Sequence, residues 1–228
     1  MIVGCDVAKH TDWTVLVAID ARTGRCLEME RFNQLDWPVQ RVRIAAFARR
    51  WRARLVMDAT GVGDPVFDDL CRVLPQVEGF KITGNSKREL VQGLMVAVEQ
   101  RRVAWPAAKR MKDEVGGRRT EDGGQRGCGD FNAEAQRRGE EYRTLNAERG
   151  GGDWEVLTAE MKRYEYEIGP TGQVSYSAPA GYHDDCVMAF ALAVWGVKTF
   201  GTGPGRMLRL VNSDSAGLAT LRRTLTLA

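Results

Sequence analysis

Four aspartates stand where carboxylate chemistry could be assembled. Asp6 closes an apolar run, Ile2 to Cys5; Asp58 closes a second, Leu55-Val56-Met57; Asp184 and Asp185 open a third, Cys186 to Val197. If the first of these is a strand at the centre of a sheet, with the Asp58 strand beside it and the last run a helix packed across both, all four carboxylates meet at one end of the sheet. Clustered carboxylates repel one another and persist only where a cation compensates them. A set of oxygen ligands suits Mg²⁺ or Mn²⁺ rather than zinc. Taken singly, each residue also has a plain structural reading: Asp184 or Asp185 can cap a helix, Asp58 can start a turn and Asp6 can end a strand. The joint pattern carries more than any one member.

The elements that must position these residues can be read from periodicity. Ile2 to Cys5, Thr14 to Ile19 with Val15, Val17 and Ile19 alternating, and Cys26 to Phe32 predict three antiparallel strands, with a turn at Asp20 to Gly24. Pro38 suits a first helical turn, and Val42, Ile44, Ala45, Phe47, Ala48 and Trp51 give a helical stripe before the Asp58 strand. The Asp58-Ala-Thr-Gly-Val-Gly-Asp-Pro65 turn, a helix marked by Phe67, Leu70, Cys71 and Leu74, and a strand around Val77 to Ile82 read as a βαβ unit. Ser86 is placed to cap the next helix with Glu89 completing a capping box, and Leu90, Leu94, Val96, Ala97 and Val98 carry that helix towards Pro106. Tyr164 to Ile168 and Val174 to Ser177 flank a glycine-proline turn and predict a hairpin. The helix from Cys186 to Val197 is apolar on nearly every face and must be buried. The fold class expected is α/β: a mixed central sheet, an antiparallel meander followed by parallel strands, flanked by helices.

Between about Lys109 and Asp153 the character changes. Ten of the chain's 25 glycines fall from Gly116 to Gly152, and Met111, Val115, Phe131, Tyr142 and Leu145 are its only sizeable apolar residues. The segment reads as an insertion at about 109–153 within a domain covering 1–200, with one polar helix around Ala133 to Ala147 and a C-terminal extension over 201–228.

Composition narrows the class further. At 228 residues the chain suits one sizeable core, and 43% hydrophobic with 28% charged residues is ordinary globular usage. Five widely spaced cysteines without a C-x-x-C pair predict reduced thiols and neither a disulfide framework nor a zinc knuckle. The N-terminus has no signal-peptide pattern and no apolar run is long enough to span a bilayer, so a cytoplasmic protein with no membrane partner is expected. A net charge of +3 and a pI near 8.6 permit a polyanionic partner without requiring one.

Three motifs then meet a known family. G-x-D-x-A-x-x-x-D-x-T over Gly4, Asp6, Ala8, Asp12 and Thr14, the D-A-T-G-V-G-D-P run from Asp58, and Y-S-A-P-x-G-x-H-D-D-x-V-M-A from Tyr176 resemble the C-terminal nuclease domain of phage large terminase subunits, a relative of RNase H and RuvC-type resolvases. The resemblance covers about residues 1–108 and 154–197; the segment between departs from the family. It implies an RNase H-like fold and a metal-dependent DNA endonuclease. Asp6, Asp58 and Asp185 would be the principal catalytic metal ligands and Asp184 an additional or alternate one. Two Mg²⁺ or Mn²⁺ ions, about 4 Å apart and bridged by Asp6, would serve phosphodiester hydrolysis. One helical turn beyond, where RuvC-like relatives often carry a further carboxylate, this chain has Met188.

Lys9, Lys81, Lys87 and Arg88 flank the acidic positions and are candidate DNA contacts, with solvated surface charge as the alternative. His183 is a candidate auxiliary residue that would orient a water or a phosphate, or else pack against the hairpin; His10 is equally open. No G-x-x-x-x-G-K-[ST] motif occurs, so the chain is not expected to power translocation. The family reading makes it the genome-cutting half of a packaging motor in the host cytoplasm, expressed alone or trimmed from an ATPase domain. Its partners would be double-stranded DNA, the terminase ATPase domain, the small terminase subunit and the portal protein. The other readings are a RuvC-like junction resolvase or transposase domain, a non-catalytic RNase H-like module that binds DNA or protein, and, more remotely, a sugar-kinase-like ATPase.

Overall fold

The computed structural model describes residues 1–8, 12–61, 63–106, 152–169 and 173–201. The polar helix expected at 133–147, almost all of the 109–153 insertion and all but Gly201 of the C-terminal extension lie outside them, as do Lys9, His10 and Cys128.

Strands β1 (Ile2–Asp6), β2 (Thr14–Ile19) and β3 (Cys26–Phe32) form the antiparallel meander. Helix α1 (Trp37–Arg50) then leads to β4 (Arg54–Asp58), and α2 (Gly63–Val73) to β5 (Val77–Phe80). Both later strands run parallel to β1, and the sheet order is β3-β2-β1-β4-β5. The expected mixed sheet is therefore what the chain forms. β1 lies at its centre, paired antiparallel with β2 and parallel with β4.

Alternation along the strands divides the core. Val3, Cys5, Leu55 and Met57 face Ile44, Phe47 and Leu70 of α1 and α2. Ile2 and Val56 face the other way, towards helices α3 (Gly84–Glu99), α4 (Gly152–Arg163) and α5 (Asp185–Phe200). With a period of two, Gly4 and Asp6 share the face of Ile2, and Asp58 shares that of Val56. Both aspartates are thus turned towards α5.

The buried helix expected from Cys186 to Val197 is α5, in which every residue from Asp185 to Val194 is buried. It lies across β1, β2 and β4. Its approach is set by glycine: a Cβ on Gly4 would fall 2.1 Å from the Ala189 carbonyl oxygen and 2.4 Å from the Ala193 nitrogen. On the same helical stripe, a Cβ on Gly196 would meet Ile2 and Val56. Strands β6 (Glu165–Ile168) and β7 (Val174–Ser177) form the expected hairpin as a separate two-stranded sheet.

Three local expectations are corrected. The α3 cap is Thr83, not Ser86: Thr83 accepts from the Ser86 N–H and Ser86 bonds back to the Thr83 N–H, so Ser86 is the N3 partner and the helix starts earlier. Val42 and Val96, counted among the apolar residues that mark their helices, are 66% and 45% exposed. Gln40 is buried instead, its amide donating to the carbonyls of Ala8 and Leu35. A polar residue takes an interior position there because its hydrogen bonds are fully used.

Candidate active site

The carboxylates begin with β1 and β4. These strands are in parallel register from Ile2 with Arg54 to Cys5 with Met57, so Asp6 and Asp58 follow side by side at the two C-terminal ends. Ends of adjacent parallel strands are where α/β sheets expose a concave edge. Asp58 accepts the Thr60 N–H at 2.8 Å, which turns the chain after β4. Asp58 thus starts the turn, the structural role its place in the sequence allowed.

The chain after Asp6 is pinned by Thr14. Its hydroxyl accepts the Ala8 N–H at 3.0 Å and donates to Gln40 Oε1 at 2.8 Å, and both Thr14 and Gln40 are buried. The threonine of the first motif thus fixes the exit from β1.

Asp185 is the first residue of α5 and shares the stripe of Ala189, Ala193 and Gly196 that packs on the sheet. Its Oδ2 accepts the Trp13 N–H at 3.1 Å, tying the start of β2 to the start of α5. Asp184 occupies the N-cap position but makes no side-chain capping bond. Its Oδ2 instead takes the Lys87 ammonium at 2.9 Å and the Tyr164 hydroxyl at 3.3 Å. The capping reading of Asp184, available from sequence, fails because its carboxylate is turned towards α3 and Tyr164.

Electrostatics mark these residues as one group. Burial, then the charges of Asp185, Asp58 and Asp184, hold the Asp6 carboxyl well above the usual carboxylate range, and Lys87 opposes them. Asp185 is also raised, chiefly by burial, with the Trp13 N–H and His183 acting against it. Among the described residues, no three His, Cys, Asp or Glu side chains stand close enough to share one ion as they are placed. Asp184 is held by Lys87 and Tyr164, and Asp185 by the Trp13 N–H.

The candidate DNA contacts divide. Lys87 belongs to the carboxylate group, whereas Lys81 is exposed at the end of β5 and Arg88 reaches Asn85 at 3.4 Å. The His183 side chain is 50% exposed, with Nδ1 3.3 Å from Asp12 and 3.8 Å from Asp185. Sequence reasoning missed Trp13, which acts through its backbone, and Tyr164. It also missed Glu160, a buried residue of α4 whose Oε2 accepts the N–H groups of Cys186 and Val187. Glu160 lies in a short polar-faced helix with no motif around it, and no spacing rule links it to α5.

The Terminase RNaseH-like domain family matches residues 3–116, a span that contains β1 to α3 with Asp6 and Asp58. The chain belongs to this family. The large terminase subunit of Thermus virus P23-45 is 29% identical over 120 residues, which make up 50% of this chain and 24% of that protein. The chain therefore matches about a quarter of the length of that relative. Among solved structures, the magnesium-bound large terminase nuclease of thermophilic phage G20c is similar with a TM-score of 0.59 and 22% identity, over 85% of this chain and 79% of that one. The nuclease domain of Thermus phage P74-26 has a TM-score of 0.58 and 20% identity, over 86% of this chain and 78% of that one. These terminase structures share the RNase H-like fold with this chain, which carries it well beyond the segment matched in sequence. No helix among the described residues of this terminase-family chain is long and apolar enough to cross a membrane.

Proposed function

We propose that this chain is the metal-dependent DNA endonuclease domain of a viral packaging terminase, hydrolysing phosphodiester bonds of double-stranded DNA. The observation that carries this reading is the convergence of Asp6, Asp58, Asp184 and Asp185, near enough that the other three raise the Asp6 carboxyl. A divalent cation bound among them would relieve this repulsion while leaving the carboxylates ionised. The group fits divalent ions: its donors are all carboxylate oxygens, and structures of the same fold hold magnesium, cobalt or zinc. Asp6, Asp58 and Asp185 would be the principal ligands, with Asp184 as a further one, for two Mg²⁺ or Mn²⁺ ions. Bound there, the ions would supply Lewis-acid activation of water and of the scissile phosphate.

The chain's own groups prepare that chemistry. Gly4 lets α5 approach β1 so that Asp185 is delivered beside Asp6, and the Trp13 N–H fixes one oxygen of Asp185. Lys87, Lys81 and Arg88 line the segment from β5 into α3 and would attract phosphates, with Lys9 as a further contact. His183, half exposed beside Asp12 and Asp185, would orient a water or a phosphate. Residues 1–200 would form the nuclease domain, with 109–153 as an insertion and 201–228 as an extension. In the virus-infected cell the domain would act in the host cytoplasm, with a terminase ATPase domain, the small terminase subunit and the portal protein.

The test is conversion of supercoiled plasmid in Mn²⁺, Mg²⁺ or EDTA by the native chain, Asp6→Asn and Asp185→Asn. Metal-dependent nicking and linearisation that either substitution abolishes supports the reading. Equal activity of all three proteins removes these aspartates from the chemistry.

A further inference from the structure

We propose that Glu160 is a positioning residue for the carboxylate group: it caps α5 from elsewhere in the chain and thereby relieves Asp184 of that role. The inference rests on the reading of these aspartates as metal ligands.

An N-cap side chain ordinarily accepts the backbone N–H of the second or third helical residue. In α5 those residues are Cys186 and Val187, and both N–H groups go to Glu160 Oε2, at 2.9 Å and 3.3 Å. Asp184, the residue at the cap position, makes no capping bond. A capping Asp184 would fold its carboxylate back over the first turn, away from Lys87 and Tyr164, which hold it in the structure.

The cost of that arrangement identifies it as a device. Glu160 is 9% exposed, and burying a carboxylate is unfavourable unless it is hydrogen-bonded and near positive charge. Two backbone donors and the positive end of the α5 dipole supply both. An ordinary fold would leave the cap to Asp184 and place an apolar residue at 160, next to Leu157 and Met161 in the same core. Spending a buried carboxylate there is accounted for if the carboxylates at 184 and 185 have other work. Outer partners that orient ligating groups have this character, and their loss typically lowers metal affinity about 10- to 100-fold.

The experiment uses the full chain with Glu160→Ala, Glu160→Gln, Glu160→Asp and, as a packing control, Met161→Ala. Mn²⁺ affinity is measured by calorimetry, and thermal unfolding is followed in parallel. Glu160→Ala is expected to weaken Mn²⁺ binding about 10-fold or more. Glu160→Gln, which keeps an acceptor oxygen, should retain native affinity. Met161→Ala should lower the melting temperature with native Mn²⁺ affinity, separating positioning from packing. If the alanine variant fails to fold, Glu160→Asp, one methylene too short to reach both amides, carries the same expected loss. Native Mn²⁺ affinity in a folded Glu160→Ala or Glu160→Asp protein overturns the role of Glu160 alone. Absence of Mn²⁺ binding by the native chain overturns the metal reading, and the positioning role with it.

Discussion

Gly4 and Ala189 meet backbone to backbone: a Cβ at residue 4 would lie 2.1 Å from the carbonyl oxygen of residue 189. Two residues beyond Gly4 stands Asp6, and one helical turn before Ala189 stands Asp185. The spacing between the two carboxylates is therefore set by a contact that only glycine permits. Gly4→Ala is expected to force α5 off the sheet, costing about 1–3 kcal/mol, and to weaken Mn²⁺ binding as well. Urea unfolding and calorimetry on the same variant check both. A milder effect is expected for Gly196→Ala, whose Cβ would meet side chains of Ile2 and Val56 rather than backbone.

Thr14→Val tests the anchor behind the first motif. The substitution keeps the shape, removes the acceptor for the Ala8 N–H and leaves Gln40 Oε1 without its donor. A buried polar group left unpaired costs about 1–3 kcal/mol. Denaturant unfolding should show that loss in Thr14→Val, whereas Thr14→Ser, which keeps the hydroxyl, should remain near native.

Lys87 was a candidate DNA contact on sequence grounds, and the structure gives it a second duty as the cation on Asp184. Its removal should act in opposite directions on two measurements. Lys87→Met should destabilise the metal-free protein by about 1 kcal/mol, the scale of a partly exposed ion pair. It should also tighten Mn²⁺ binding, because the ammonium no longer competes for Asp184. Weaker Mn²⁺ binding in Lys87→Met would show that the lysine supports the ions instead.

The pH dependence follows from the same repulsion. Asp6 and Asp185 have carboxyls raised in the folded state, chiefly by burial. The native state therefore binds protons that the unfolded chain releases. Their contribution to stability is present below the ordinary carboxylate pKa and is lost as pH rises through the raised values. Metal-free protein should lose melting temperature on going from mildly acidic to neutral pH, and Asp6→Asn should flatten that slope. Mn²⁺ should stabilise the native chain more at neutral than at acidic pH, since ligation requires the deprotonated carboxylates.

How much of this was legible in the sequence depends on range. The sheet order follows from strands whose alternation or apolar runs are local, and the all-apolar run after Asp185 could only be a buried helix. Asp6, Asp58, Asp184 and Asp185 could be named because each adjoins such an element. What stayed hidden acts across the chain or through the backbone. Glu160 meets Cys186 over 26 residues of sequence, and Trp13 meets Asp185 over 172. Ser86 was assigned as a cap because serine suits N3 of a capping box as well as its start, and only the position of Thr83 separates the two. Val42 counted in the apolar stripe of its helix yet is exposed, and the stripe could not show that Gln40 finds the hydrogen bonds it needs to be buried.

Asp6, Asp58, Asp184 and Asp185 are proposed to act together in binding divalent cations. Calorimetric titration of Mn²⁺ into the native chain, Asp6→Asn, Asp58→Asn, Asp184→Asn and Asp185→Asn tests it most directly. Saturable binding by the native protein is predicted, abolished by Asp6→Asn, strongly reduced by Asp58→Asn and Asp185→Asn, and weakened by Asp184→Asn. Binding that survives Asp6→Asn unchanged, or no saturable binding by the native chain, would contradict the account.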